Sequence, residues 1–278
     1  PDDSLRLSTY IGKAGLADGI ADLGSARYSA SRFLLSESSL SYDGGNSDPT
    51  PRFDPTHIAL SDVNIQIDSL LYGDRNIHAR LKEFSAHDRS GLTISSLTGN
   101  ISCDSAMIQV PELLLQTPYS EIRLLATVPW SSFDDTPSGT LRTLLTATVG
   151  KEDVFLFADP LPQEFKQAYP QKDISLTAGV EGNLAALRLR QLKGRLPGVF
   201  DLNITGEIKN IPDSIHRSGK FQLEAQTGNL DFVLNTLPEP ERSRYNLPSM
   251  KLKGEVALQN QEYQANLLLT QSEGKIEL

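Results

Sequence analysis

The sequence predicts a mainly β protein: an elongated, curled antiparallel β-sheet that is built from repeats and carries two short helices. Three observations predict this fold. Apolar and polar residues alternate with a period of two along most of the chain. The alternation slips by one residue at several points, as it does at β-bulges. A block of strands with a short helix recurs after about 80 residues, which indicates a modular architecture.

The period-two runs place apolar side chains on one face of each predicted strand and polar side chains on the other. Short turn signals such as Gly73-Asp74 and Asp43-Gly44-Gly45 separate them. Together they predict about sixteen strands. The clearest runs are 58–60, 63–67, 77–84, 92–101, 122–130, 174–180, 200–208, 252–258 and 263–269.

Phase slips within these runs predict bulges that bend and coil the sheet. The apolar phase changes after Ser61-Asp62, between Leu81 and Phe84, and between Ile94 and Leu97. A bulge inserts one extra residue into a strand and increases its local twist. Repeated bulges therefore predict a sheet that curls with its apolar face inward.

The repeat defines the predicted domains. The stretch 138–150 opens with Ser-Gly, alternates and ends at a glycine, and 218–228 has the same pattern. A proline-punctuated segment follows each of them. We therefore predict an N-terminal β-groove segment over 1–137, a repeat module over 138–217 with a short helix near 160–169, and a second, truncated module over 218–278 with a short helix near 231–245.

Composition excludes some classes of function. The formal net charge is −9 and the pI is about 5.0, so we predict no nucleic-acid partner, which would need a cationic surface. The basic group Arg188, Arg190, Lys193 and Arg195 alternates with leucines, which is typical of a solvated strand face. No run approaches 18 consecutive apolar residues, so no membrane span is predicted in this sequence.

Motifs for enzyme chemistry are missing from the sequence. The single cysteine, Cys103, cannot form an internal disulfide or a cysteine metal cluster, and the four histidines are dispersed. Gly-x-Ser-x-Gly and P-loop sequences are absent. We therefore expect a protein that is not an enzyme and uses no cofactor or metal. The chain begins without Met and ends inside an alternating run, so we expect an internal fragment of a longer protein.

Several segments resemble a known family. The stretches 57–72, 76–94 and 113–122, with the Arg-Ser-Gly-Leu run at 89–92 and the Thr-Pro-x-Ser run at 117–120, are similar to TamB-like members of the AsmA-like superfamily (translocation and assembly module) of Bacteroidetes type. Residues 15–23 and 40–43 resemble what precedes these stretches in that family. Residues 179–189 and 205–210 resemble its recurrent strand-Gly-strand units.

The resemblance implies a location and a function. It implies a periplasmic segment of an inner-membrane-anchored envelope protein of a Gram-negative bacterium. It also implies a fold, an elongated β-sheet curled into an open β-groove with an apolar lining. In such proteins this groove carries phospholipid acyl chains between the inner and outer membranes, without enzymatic chemistry. The expected partners are phospholipid and, through regions absent here, an outer-membrane barrel protein.

The inward positions of the predicted strands give the expected groove lining. An acyl chain needs a dry apolar track, which the apolar face of a curled sheet supplies. The residues chosen are Ile65, Ile67, Leu81, Ile94, Ile101, Leu115, Leu124, Val128, Leu145, Leu176, Val180, Leu189, Leu202, Ile204, Leu223, Val256 and Leu267.

Three alternatives stay open at this point. The strands could close into β-sandwiches with ordinary packed cores, in which the same residues would be buried. The protein could instead be a scaffold or chaperone for outer-membrane protein assembly that binds a strand by β-augmentation at a sheet edge. A carbohydrate-active β-protein is the third, and the missing carboxylate and metal constellations argue against it.

Overall fold

The computed structural model describes residues 28–44, 50, 52–73, 76–157, 161–234, 242, 248–271 and 274–277. The similarity noted at residues 15–23 and most of the predicted helical region 231–245 lie outside the described residues. The chain divides into two compact units. Unit 1 is Pro1–Arg123 with Glu152–Phe157, and unit 2 is Leu124–Lys151 with Ala158–Leu278.

Unit 1 contains an antiparallel sheet in the order β1-β2-β3-β5-β6, with the short strand β4 paired to β3. The strand β7 begins in this unit and crosses the boundary at Arg123. The bounds are β1 Tyr28–Asp43, β2 His57–Gly73, β3 Asn76–Asp88, β4 Thr93–Ile94, β5 Ser96–Cys103, β6 Met107–Gln116 and β7 Ser120–Pro129.

Unit 2 contains an antiparallel sheet in which every strand pairs with its neighbours in sequence, from β8 to β15. The bounds are β8 Leu141–Val149, β9 Ile174–Gly182, β10 Ala186–Leu196, β11 Phe200–Lys209, β12 Ser218–Thr227, β13 Met250–Gln259, β14 Glu262–Gln271 and β15 Gly274–Glu277.

Bulges occur where the sequence predicts them. Register shifts in β2 surround Asp62, which has a positive φ of 51°, and the β2–β3 register shifts again at the predicted slip between Leu81 and Phe84. At the third slip the chain breaks into the separate strands β4 and β5. A further bulge at Arg190 shifts the registers of β10 with both of its neighbours, and no phase slip had been assigned there.

Three short α-helices occur in the described residues, one more than predicted. They are α1 Lys151–Phe157, α2 Gln163–Ala168 and α3 Asp231–Leu234. The helix α2 lies within the predicted region 160–169, and α3 occupies the described start of the predicted region 231–245. The helix α1 lies where the sequence showed only a short apolar run at 154–157. Asp153 explains it, because its buried carboxylate accepts hydrogen bonds from the hydroxyls of Thr117 and Ser120 in the β6–β7 turn.

The mainly antiparallel β fold class is confirmed. Among the described residues, each unit contains a single sheet whose strands follow one another in linear order, and the first strand does not pair with the last. A sandwich would need a second sheet facing the first. Over these residues each unit is therefore an open sheet. The predicted module boundaries at 137 and 217 stay predictions.

Candidate functional site

The apolar face of unit 2 is an array of four cross-strand rows. Directly opposed residues in an antiparallel sheet lie on the same face, so the strand register defines each row. The rows are numbered from the end of β8 where Leu141 lies, and each is given from β8 to β14. Row 1 is Leu141, Gly182, Leu187, Ile208, Gly219, Leu258 and Tyr263, and row 2 is Thr143, Val180, Leu189, Gly206, Phe221, Val256 and Ala265. Row 3 is Leu145, Ala178, Leu192, Ile204, Leu223, Gly254 and Leu267, and row 4 is Ala147, Leu176, Gly194, Leu202, Ala225, Leu252 and Leu269.

The four rows form one uncharged surface. Their 28 positions hold no Asp, Glu, Lys, Arg or His, and the two hydroxyls are those of Thr143 and Tyr263. Rows two residues apart lie about 7 Å from each other, and seven strands at about 4.8 Å extend the rows for about 29 Å along the sheet surface. The array is therefore wide and long enough to lay extended hydrocarbon chains across the strands.

Burial along the rows is partial. All seven residues of row 3 are half-buried, although a closed sandwich core would bury them. In unit 2 the fully buried apolar residues among those described are Ala147, Tyr169, Leu196 and Val199, and they gather at the opposite end of the strands from row 1. The large aliphatic side chains of rows 1 to 3 are thus shielded mainly by their neighbours in the same sheet.

Helices α2 and α3 lie in the connections at the row 4 end of the strands. Phe165 and Tyr169, from α2 and its end, meet Phe232 of α3, with ring centroids 5.3 to 5.9 Å apart. These rings come from two separate insertions, one between β8 and β9 and one between β12 and β13. Burial raises the pKa of Tyr169. We call this end of the strands the helix rim.

Unit 1 has a smaller apolar face of the same kind. One row crosses five strands through Phe33, Ile67, Leu81, Gly99 and Leu113. Neighbouring pairs add further apolar contacts: Leu35 with Ile65, Ile65 with Phe84, Ala79 with Ile101, and Leu97 with Leu115. The bulges in β1 and β2 make these rows less regular than those of unit 2.

The seventeen sequence-predicted residues are all half-buried. In unit 2, nine of them fall in rows 2 to 4: Leu145, Leu176, Val180, Leu189, Leu202, Ile204, Leu223, Val256 and Leu267. In unit 1, Ile65, Ile67, Leu81, Ile101 and Leu115 lie in cross-strand apolar pairs, and Ile94 pairs with Ala86. Leu124 and Val128 lie on β7.

The prediction missed row members that the same period-two signal contains. Leu192, Phe221 and Leu252 face the same surface as the residues chosen. Leu192 follows the bulge at Arg190, so simple alternation from Leu189 places it on the wrong face. The whole of row 1, which ends at Tyr263, was also left out. Finding it requires the strand register, which a single strand pattern does not contain.

The opposite face of unit 2 is a ladder of ion pairs. Arg142, Glu181, Arg188, Glu207 and Lys220 are successive cross-strand partners, so charge alternates in sign from β8 to β12. Further pairs join Arg190 to Glu181 at 2.7 Å, Lys209 to Glu207 at 2.9 Å, Lys220 to Glu255 at 2.7 Å and Lys253 to Glu224 at 2.6 Å.

These pairs shift the titration of their carboxylates. A hydrogen bond from Arg190, supported by Arg142, lowers the pKa of Glu181, and hydrogen bonds from Lys209 and Arg188 lower that of Glu207. The sequence interpretation of the basic group as a solvated strand face agrees with this arrangement. Arg188, Arg190 and Arg195 each have an acidic partner on the exposed face.

A buried polar cluster anchors the start of β2 in unit 1. His57 lies between two carboxylates, with Nδ1 3.0 Å from Asp54 and Nε2 3.2 Å from Asp43. The hydroxyl of Thr56 donates to Asp54 and holds the pKa of that carboxyl well below its usual range. Arg89 donates to the His57 carbonyl. The cluster fixes the connection before β2 onto the end of the sheet.

Metal sites and membrane spans were sought among the described residues. Within them, His, Cys, Asp and Glu side chains form no group of three or more that could hold a metal ion. None of the helices in this part of the chain has the length and apolar character needed to cross a membrane.

No family model, curated protein or solved structure matches this chain. Arguments about function therefore rest on the two open sheets and on their residues.

Proposed function

We propose that this protein is a non-enzymatic conduit that carries lipid acyl chains along the apolar face of its open sheets. The observation that carries the proposal is the uncharged four-row array of unit 2, which crosses seven strands and is half-buried at 24 of its 28 positions. An aliphatic surface of this size exposed to water is unfavourable, and acyl chains would remove it from water without requiring any hydrogen bond from the protein.

The two faces of the sheet support different tasks. The ion-pair ladder keeps the outer face solvated, and its cations already have acidic partners, so it offers little attraction to anionic headgroups. The apolar face contacts the chains and leaves the headgroups in water. Together with the resemblance to TamB-like proteins, this division supports a periplasmic location and phospholipid as the cargo carried between the two membranes.

The test is lipid occupancy of the purified chain. The protein is prepared from bacterial cells without detergent, and bound lipid is measured by native mass spectrometry and by extraction. Leu223→Asp places a charge in row 3, whereas Gln222→Asp places the same charge on the adjacent, outward-facing position of the same strand. We expect phospholipid in the wild type and in Gln222→Asp, and its loss in Leu223→Asp with the fold retained. A lipid-free wild-type protein would overturn the proposal.

One observation favours strand binding as a second function. The strand β1 is 16 residues long, contains no proline and, among the described residues, pairs with β2 alone. Its Phe33 and Leu34 are both exposed. A long edge strand of this kind offers backbone donors and acceptors to an extended segment. Peptide capture that survives Leu223→Asp and is lost when Leu34 is replaced by proline would support this function.

A further inference from the structure

The rim of unit 2 opposite the helices is a continuous series of turns. The Ser132 carbonyl accepts from the Leu184 amide, the Leu184 carbonyl accepts from Ile211, and the Arg217 carbonyl accepts from Asn260, at 3.0 to 3.1 Å. Asn183 also donates its side-chain amide to the Gly139 carbonyl at 2.9 Å. These bonds join the segments 130–139, 183–186, 210–217 and 260–263 side by side. We call this series of turns the lip.

Large apolar side chains stand exposed along the lip. Phe133, Ile215 and Tyr263 are 48, 62 and 76% exposed, and Trp130 is 41% exposed. They come from three of the connected turns, so they recur along the whole rim. Turns that face only water usually carry polar and small residues. Bulky apolar residues repeated at several neighbouring turns therefore indicate an interaction surface.

The lip is continuous with the apolar face. Tyr263 is both a lip residue and the last member of row 1, and it lies directly opposite Leu258 of that row. Leu141, the first member of row 1, begins its strand two residues after Gly139 of the lip. By contrast, the Phe165, Tyr169 and Phe232 rings pack against one another at the helix rim. An acyl chain therefore has an uninterrupted apolar surface from the lip to row 1.

The charge of the lip selects the type of lipid surface. Asp134, Asp135, Asp213 and Glu262 lie in these turns, and Arg217 directs its guanidinium to the Ile211 carbonyl. A lip with this acidic excess is repelled by an anionic lipid surface. Tyrosine and tryptophan favour the boundary between headgroups and acyl chains of a bilayer. The partner that fits both properties is a zwitterionic lipid surface.

We propose that the lip inserts into the interface of zwitterionic membranes and is the side through which acyl chains enter row 1. This inference rests on the proposed function, to which it adds the route of entry and the type of donor membrane. The helix rim, where the three rings pack together, lies at the opposite end of the same strands.

Trp130 provides a direct test because it is the only tryptophan of the chain. The full chain is mixed with phosphatidylcholine vesicles, and its tryptophan emission is recorded with and without brominated acyl chains. Insertion of the lip shifts the emission to the blue and gives quenching by the brominated lipid. Unchanged emission and the absence of quenching would overturn the proposal. Adding phosphatidylserine to the vesicles weakens both signals at low salt, and stronger signals would contradict the zwitterionic preference.

A transfer assay tests the route of entry. Phe133→Ser combined with Ile215→Ser removes two exposed lip side chains that belong to none of the four rows, and Val233→Ser removes an exposed side chain of α3 at the helix rim as the control. We expect the double variant to pick up a fluorescent phosphatidylcholine from vesicles at least about tenfold more slowly, since each side chain contributes roughly a factor of ten or more when buried. Its lipid occupancy at equilibrium stays unchanged, and Val233→Ser behaves as the wild type.

The outcomes separate the two proposals. A double variant that loads as fast as the wild type overturns the lip as the entry route and leaves the conduit intact. A wild-type chain that shows Trp130 quenching but never retains lipid after removal from the vesicles overturns the conduit and supports only the membrane contact. A chain that shows neither quenching nor retained lipid overturns both.

Discussion

Gly206 lies directly opposite Phe221 in the β11–β12 pair, and a Cβ atom on Gly206 would come within 2.3 Å of the Phe221 ring and 2.6 Å of the Lys220 carbonyl oxygen. The second contact is with the backbone, so a rotation of the phenylalanine cannot relieve it. The glycine therefore lets the aromatic ring lie flat within row 2.

Replacing this glycine tests the packing of row 2. Gly206→Ala is expected to lower the free energy of unfolding by about 1–3 kcal/mol because the added methyl group forces the two strands apart. Gly194→Ala is the matched control, since its Cβ would meet only Phe200 at an ordinary 3.6 Å. Urea unfolding followed by circular dichroism measures both. Equal stability of the two variants would show that row 2 rearranges to accommodate the added methyl group at little cost.

A charge on the apolar face tests whether that face is open. Ile204→Asp is expected to fold and to lose about 1–2 kcal/mol, because water still reaches a half-buried side chain. The same change at Leu196, which is 1% exposed at the helix rim, is expected to cost at least about 4 kcal/mol because the carboxylate has no route to water. If Ile204→Asp unfolds as readily as Leu196→Asp, the face is a closed core. Val128→Asp on β7 is expected to behave as Ile204→Asp does.

The buried Asp153 is expected to hold α1 onto unit 1. Asp153→Ala leaves the Thr117 and Ser120 hydroxyls without their shared acceptor, which we expect to cost about 2 kcal/mol. Hydrogen exchange locates the effect, because the Tyr119 and Ser120 amides donate to Thr117 in the same turn and should exchange faster. Glu152→Ala, at the exposed neighbouring position, is the control and should leave both amides protected.

The ion-pair ladder makes stability depend on pH in the acid range. Glu181 has a folded-state pKa below its ordinary 4.5, so its contribution is fully present above that pH and is lost as the pH falls through the lowered folded value. The urea midpoint of the wild type should therefore fall between pH 6 and pH 3 by more than that of Glu181→Gln. Identical pH profiles would mean that the Arg142 and Arg190 contacts contribute nothing to the fold.

Period-two alternation was enough to predict the strands, because each residue of an open sheet keeps a face that depends only on its place in its own strand. The phase slip after Ser61-Asp62 also predicted the position of the bulge at Asp62. The signal failed where a contact distant in sequence decides the structure. The helix α1 depends on Thr117 and Ser120, more than thirty residues earlier.

The sequence was enough to predict which residues of a strand face the candidate site, but not how residues of different strands align into rows. Leu202 and Ile204 were recognisable as lining from their own strand. Their rows follow from the register with β10, which the bulge at Arg190 sets, and single-strand patterns do not contain that shift. The lip was not predictable either, since the turns that bring Phe133, Ile215 and Tyr263 onto one rim are far apart in sequence and become neighbours only through the order of the strands.

The alternation of charge on the outer face has a consequence for how the strands find their partners. Apart from close contacts such as that of Gly206 with Phe221, the apolar face is mainly aliphatic along its whole length, so a slip of two residues would still pair apolar residues with apolar residues. On the outer face the same slip would bring Arg188 opposite Lys209 instead of Glu207, and Glu224 opposite Glu255 instead of Lys253. The solvated charges thus determine strand pairing and register during folding. They specify which strand pairs with which, and in what alignment, in a protein whose repeated strands would otherwise be interchangeable.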